Sequence, residues 1–302
     1  MSKVDTSALD RTFEAVIFDW DGTAVPDRAS DASAVRDLVE ALCAAGVHVV
    51  VISGTHVGNV DGQLFARPEG PGTLHLALNR GSEIFAVGPG GVELIWRRTA
   101  SPTEDRDLDR AADATVERLG ERGIRAEVVS NRLNRRKIDI IPEPEWADPP
   151  KARIGELLAA VSERLHAAGW RDLAEVVAVT VEASRSAGLA DPRISSDVKH
   201  VEVGLTDKSD SARWAASWLA TRGITGELIL IGGDEFGPIG GVVGSDSLML
   251  VPELDRAVAI SVGVEPEGCP DGVLALGGGP ARFLELLEHQ LARRRRSGAP
   301  SR

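Results

Sequence analysis

The sequence predicts an α/β protein whose Rossmann-like, parallel-sheet core is interrupted by an inserted α+β domain. Three observations carry this reading. Wholly apolar runs of strand length alternate with helix-spaced segments near both ends of the chain, several of these runs end in polar turns, and the middle follows a different order. The 302 residues are enough for two modest domains, or for one α/β domain with a large insertion.

Taken in order, Ala15 to Phe18 is a short apolar run ending at Asp19, which suits a strand buried on both faces. Val35, Leu38, Val39 and Leu42 then recur at helical spacing, with Ser30 and Asp31 available as caps and Gly46 as the C-terminal stop. Val47 to Ile52 is a second apolar strand, ending at Ser53, Gly54 and Thr55. Strand, helix and strand make a βαβ unit, so the two strands should be parallel with neighbouring carboxyl ends. The grammar returns late in the chain. Ser209 or Asp210 can cap a helix carrying Ala212, Ala215, Ala216 and Leu219, Gly223 closes it, and the strand Glu227 to Ile231 leads to the acidic turn Gly232, Gly233, Asp234, Glu235. Val258 to Val262 and Val273 to Leu276 read as further strands, and Pro280 opens a last helix through Leu284, Leu287 and Leu291.

Between these halves the spacing predicts a helix over 109–122, strands over 124–130 and 137–141 joined by a basic turn, and an amphipathic helix from Pro150 through Leu165. Another helix over 173–184 and a strand over 198–203 complete the insertion. The expected division is therefore a core over 12–81 and 203–292, an inserted domain over 82–202, and flexible tails at 1–11 and 293–302. No period of 20 to 50 residues recurs, which argues against a solenoid.

Composition narrows the function. Lys and Arg number 34 against 46 Asp and Glu, giving 34 − 46 = −12, so most of the surface repels a phosphate backbone and nucleic acid is not an expected partner. No stretch reaches the roughly 18 apolar residues of a membrane span, and the polar start has no signal-like apolar segment, so no membrane partner and a cytoplasmic location are expected. Cys43 and Cys269 are too far apart in sequence for a C-x-x-C site and read as small buried apolar residues. His56, His75 and His200 stand alone without metal-ligand spacing.

The chemistry concentrates in Asp19, Trp20, Asp21, Gly22 and Thr23. Two carboxylates two positions apart at the mouth of a buried strand are costly unless they bind a cation or react. This D-x-D-G-T segment resembles the first signature of the haloacid dehalogenase superfamily of phosphatases and phosphotransferases. Three further signatures are matched in order: Ser53 in Val51 to Thr55, Lys208 at the start of a later helix, and Asp234 in the acidic turn. Each falls in a loop already placed at a strand's carboxyl end or a helix start, where open α/β sheets bind ligands.

The resemblance implies roles that the residue types can fill. Asp19 would attack phosphorus to give an aspartyl-phosphate, and Asp21 would carry the proton for the leaving oxygen. Thr23, Ser53 and Gly54 would hold the phosphoryl group, and Lys208 would supply a point charge to nucleophile and phosphoryl group together. Mg2+ is the implied cofactor, with Asp19, the carbonyl of Asp21, Asp234 and Asp246 at the metal, although Glu235 stands as the alternative to Asp246 because Phe236 to Gly244 lengthen the usual interval.

Only 34 positions separate Asp19 from Ser53, whereas 155 separate Ser53 from Lys208, so the insertion resembles a type 2 cap. Its order of elements is similar to that of trehalose-phosphate phosphatases and phosphomannomutases, which implies a small phosphorylated sugar as substrate. In the insertion, Asn131, Arg132, Arg135, Arg136 and Lys137 form a basic cluster. Asn131, Arg132 and Lys137 are candidates for reading the substrate, with a solvated turn as the alternative. A phosphomutase using the same residues, or a non-catalytic sugar-phosphate binding protein, are the other functions considered. The intact set of five site residues weighs against the last, since binding an anion needs no pair of carboxylates.

Overall fold

The computed structural model describes residues 6–147 and 153–297. The chain forms two compact units, one of residues 1–97, 208–237 and 246–302, the other of residues 98–207 and 238–245.

The first unit is built on an eight-stranded sheet. Its strands are β1 (Ala15–Asp19), β2 (His48–Ile52), β3 (Leu74–Leu78), β4 (Glu83–Gly88), β5 (Gly91–Arg97), β10 (Ile229–Gly233), β11 (Val258–Ser261) and β12 (Val273–Ala275), in the order β12-β11-β10-β1-β2-β3-β4-β5. From β12 to β3 all neighbours are parallel, and β4 and β5 add an antiparallel hairpin at one edge. Alternate residues of β1 serve different layers. Val16 and Phe18 join one core with Val35, Val39 and Leu42 of helix α1 (Ser33–Ala44) and Phe283 and Leu287 of helix α7 (Gly279–Ser297). Ala15 and Ile17 join another with Ala212, Ala215, Ala216 and Leu219 of helix α6 (Lys208–Ala220). A strand covered on both faces has no polar side to show, which is why these runs are wholly apolar. Helix α2 (Val57–Leu64) follows β2 and adds Val60 and Leu64 to the first core.

The second unit pairs a four-stranded antiparallel sheet with helices α3 (Pro102–Glu121), α4 (Ile154–Ala167) and α5 (Leu173–Ser186). Its strands β6 (Glu127–Arg132), β7 (Arg135–Asp139), β8 (Arg193–Ser196) and β9 (His200–Gly204) run in the order β6-β7-β9-β8. Ser101 and Glu104 form a reciprocal capping box at the start of α3, several residues before the helix that the apolar spacing predicts.

Several boundaries differ from the sequence reading for physical reasons. The first boundary falls at 97/98 instead of 82, because β4 and β5 pair into the core sheet through β3, and the second falls at 207/208 instead of 202, because β9 pairs with β7 and β8. Residues 238–245 leave the core for the second unit, where Ile239 and Val242 pack on its hydrophobic core. The expected tails are partly structured. Leu9 is buried and its carbonyl accepts from Gln290 Nε2 at 2.9 Å, while α7 continues through Arg293 to Ser297, with Arg294 Nε donating to the Ala45 carbonyl at 3.1 Å. Helix α6 begins at Lys208 itself, ahead of the expected caps Ser209 and Asp210. Pro150, the expected start of α4, lies outside the described residues. Cys43 is buried, its thiol pushed up to about 12 by burial and by Glu40, whereas Cys269 is only half-buried, and both are free thiols. No described helix is long and apolar enough to cross a membrane.

Candidate active site

The site gathers at the point where the core sheet reverses direction. From β1 the chain moves to β2 and β3 on one side and later to β10, β11 and β12 on the other, and such a switch leaves a crevice beyond the carboxyl ends. Registration sets what enters it. Asp19 pairs with Ile52, so Ser53 lies one residue further along, and Phe18 pairs with Gly232, which puts Asp234 just past the end of β10.

Lys208 is the centre of the polar arrangement. Its ammonium is buried and donates to Asp19 Oδ1 at 2.7 Å and to Asp246 Oδ1 at 2.6 Å. Burial alone would lower its pKa, but the carboxylates of Asp19, Asp246 and Glu235 outweigh that and hold it above the ordinary lysine value. The lysine therefore stays charged at any working pH. Carboxylate oxygens of Asp19, Asp234 and Asp246 lie within 4.8 Å of one another, the one such group of possible metal ligands among the described residues. Glu235 is not in it, which favours Asp246 over Glu235 as the second acid of the turn.

Asp246 reaches the site through the excursion 238–245 and is fully buried. Its Oδ2 accepts the backbone N–H groups of Asp234 and Glu235 at 2.8 and 2.9 Å, so both of its oxygens are engaged. Gly233 makes room for it, since a Cβ there would come within 2.5 Å of Asp246 Oδ2. Asp234 in turn accepts from Thr23 Oγ1 at 3.1 Å. Thr23, expected among the phosphate-binding residues, thus orients a carboxylate through its one hydroxyl proton.

Between Asp19 and Asp21, Trp20 turns the opposite way. It is fully buried and donates from Nε1 to Gln63 Oε1 at 2.8 Å, anchoring the loop to α2. Gly22, at φ 90°, allows the turn in which its N–H donates to the Val25 carbonyl at 2.7 Å. Asp21 Oδ2 lies 3.6 Å from Arg28 Nε, and its carboxylate is outside the three-acid group. Ser53 is buried, and its Oγ accepts from Thr55 N at 3.3 Å.

Two residues at the site carry no mark in the sequence reading. Arg80 lies against the Ser53 loop, where a Cβ on Gly54 would sit 3.6 Å from its Cγ and Nε. A basic residue just past the apolar strand Leu74–Leu78 is the signal that would have pointed to it. Glu265 bonds to the backbone after Asp234, and no spacing rule connects the two.

The predicted substrate residues sit on strands β6 and β7 of the second unit rather than in a turn, which is Leu133 and Asn134. Arg132 pairs with Arg135 across this hairpin, and the side chain of Asn131 lies outside the described residues. Lys137 Nζ is 3.0 Å from Asp197 Oδ2 and 3.6 Å from Glu202 Oε1, and Arg136 pairs with Asp105 at 2.8 Å and with Asp109. Arg136 and Lys137 therefore belong to an ion-paired network and not to a solvated turn. His200, expected to stand alone, belongs to it through a 2.9 Å contact with Asp197.

No family model and no curated protein matches the sequence. Among solved structures the chain is similar to the trehalose-6-phosphate phosphatase of Aspergillus fumigatus, with a TM-score of 0.56 and 15% identity over 95% of this chain and 96% of that one. It is also similar to the N-terminally truncated, IMP-bound IMP-nucleotidase of Plasmodium falciparum, with a TM-score of 0.59 and 10% identity over 94% of this chain and 69% of that one. These likenesses show the fold to be of the haloacid dehalogenase type, as the four motifs imply.

Proposed function

We propose that this chain is a magnesium-dependent phosphatase acting on a small phosphorylated sugar through an aspartyl-phosphate intermediate. The observation that carries the proposal is the buried ammonium of Lys208 bridging Asp19 and Asp246 within a three-carboxylate group at the mouth of a parallel sheet. A purely structural ion pair has no use for the third, partly exposed carboxylate of Asp234, whereas phosphoryl transfer needs a nucleophile, a fixed cation and a place for a second one.

The donor set fits magnesium, a hard cation that prefers oxygen ligands. Asp19, Asp234 and the backbone carbonyl of Asp21 would hold it, where it would offset charge on the phosphoryl oxygens. Asp246, with both oxygens already engaged, acts from behind by orienting Lys208 and the Asp234 backbone.

In the first step a carboxylate oxygen of Asp19 bonds to phosphorus as the bond to the ester oxygen breaks, and Asp21 gives that oxygen its proton. In the second, water loses a proton to Asp21 and attacks the same phosphorus, releasing phosphate and restoring Asp19. Lys208 holds Asp19 in line throughout, and Ser53 and Gly54, with Arg80 against their loop, would receive the phosphoryl oxygens. The sugar assignment is supported by likeness to the trehalose-6-phosphate phosphatase along nearly the whole of both chains. On this reading Asn131, Arg132 and Lys137 are the residues of the inserted domain that contribute to sugar recognition. A cytoplasmic location fits such a substrate.

A panel of phosphate esters assayed with Mg2+ for release of inorganic phosphate tests the reading. Asp19→Asn, which deletes only the nucleophile's charge, is expected to lower turnover by roughly a thousandfold or more with the fold intact. Hydrolysis by the variant at a tenth of the parent rate would overturn the covalent mechanism, and isomerisation without free phosphate would make the protein a mutase.

A further inference from the structure

We infer that Glu265 is a positioning residue for the acidic loop, its carboxylate fixing from outside the site the direction in which Asp234 points. The inference rests on the phosphatase reading above and extends it to the loop between β11 and β12.

Four consecutive backbone N–H groups run from Asp234 to Gly237, and every one is taken by a carboxylate. Asp246 Oδ2 accepts the first two at 2.8 and 2.9 Å. Glu265 accepts the next two, Phe236 N on Oε1 at 2.8 Å and Gly237 N on Oε2 at 2.7 Å. Ser261 Oγ donates to Glu265 Oε1 at 2.6 Å and so holds the carboxylate in its own place. Hydrogen bonds from amides to an ionised acceptor are shorter and about twice as strong as neutral ones, so two carboxylates in series, Asp246 through one oxygen and Glu265 through both, hold this loop.

The close approach is built from both sides. A Cβ on Gly263 would fall 1.9 Å from the Asp234 carbonyl oxygen, and one on Gly237 would fall 2.1 Å from the Gly268 carbonyl oxygen and 2.7 Å from Glu265 Oε2. Only glycine lets the two loops lie backbone to backbone at these points. Glu265 itself has φ 48°, in the left-handed region where a side chain with a Cβ is strained. If the turn alone mattered, glycine would serve it without strain. The strained position is occupied by the one side chain that reaches both amides.

The clamp matters because the chain leaves the core immediately beyond it. At residue 238 it passes to the second unit and returns at Asp246, where Asp246 N donates to the Glu235 carbonyl at 3.0 Å. Glu265 anchors the loop at Phe236 and Gly237, two and three residues after Asp234, and the carboxylate of Asp234 inherits its direction from that anchoring.

The test compares wild type with Glu265→Gln, which keeps the shape but turns a donor toward an amide that needs an acceptor. Mn2+ affinity, read from the free-ion EPR signal, is expected to weaken about tenfold, with the Mg2+ concentration for half-maximal activity rising by the same factor. Saturating Mg2+ is expected to restore kcat to within about twofold of wild type, which a misfolded site would not allow. An unchanged Mn2+ affinity in Glu265→Gln overturns the inference, as does a loss of kcat that Mg2+ does not rescue. Should that variant fail to fold, Ser261→Ala, which frees the carboxylate but leaves both amides, is expected to weaken Mn2+ binding by about threefold, and no change there overturns it equally. A wild-type chain that binds no Mn2+ and hydrolyses no ester overturns the phosphatase reading itself, and this inference with it.

Discussion

His75 offers the sharpest quantitative test of the packing. It lies on β3 with its ring against Trp218 and Trp214, at centroid distances of 4.4 and 5.2 Å. Burial, with smaller contributions from Arg222 and His48, lowers its pKa from 6.5 to about 4. The unfolded chain therefore takes up a proton on this imidazole before the folded one does. Stability from keeping it neutral is fully present above pH 6.5 and is lost as pH falls from there toward 4. Between pH 7 and pH 5 the loss from this one group is about 2 kcal/mol. His75→Phe keeps an aromatic ring against both tryptophans and removes the titration. Urea unfolding of both proteins at pH 7 and pH 5 isolates the effect, because carboxylates titrate alike in the two chains and cancel in the difference. Wild type is expected to lose about 2 kcal/mol more than the variant over that interval. Equal losses would mean that His75 titrates normally and that the layer between β3 and α6 is open to water.

At the acidic loop, Asp234→Asn is expected to raise the Mg2+ requirement most, Asp246→Asn less and Glu235→Gln least, and activity titrations that put Glu235→Gln first would reassign the second acid of the turn. Gly237→Ala drives a Cβ to within 2.1 Å of the Gly268 carbonyl oxygen and is expected to cost about 2 kcal/mol or more, so an unchanged thermal midpoint would show that these loops do not pack as described. Lys137→Ala removes the partner of Asp197 and Glu202 and is expected to lower kcat/KM for the cognate ester more than for a minimal aryl phosphate, whereas equal effects on both would confine Lys137 to a structural ion pair.

How much of the chain is legible depends on how its parts are buried. Strands β1, β2 and β10 are covered on both faces and declare themselves as apolar runs, and the residues at their ends can be placed from the pattern. Strand β5 is different. Residues 93–97 are all exposed, with no alternation to mark a face, so the hairpin that widens the core reads as the start of the insertion. The basic cluster was legible as charge but not as structure, because its partners Asp105, Asp109, Asp197 and Glu202 arrive from α3, β9 and the turn between β8 and β9. Glu265 was illegible for a related reason. It touches Phe236 and Gly237 across nearly 30 residues of sequence, through backbone groups that no residue type advertises.

The excursion 238–245 bears on how such a protein can be recombined. An inserted domain joined by two strands of chain can in principle be cut out and its ends sealed, as happens when domains are shuffled between hosts. Here the segment between the two aspartates of the acidic loop also belongs to the second unit, where Ile239 and Val242 pack on its core and a Cβ on Gly240 would meet Leu158 at 2.9 Å. Excising residues 98–207 would strip those side chains of their packing and leave eight residues of misfit chain suspended between Asp234 and Asp246. A graft of a foreign insertion would fail at the same place unless it carried a matching groove. The core half and the inserted half of this chain are therefore expected to be inherited together, and the insertion to change by point substitution rather than by replacement.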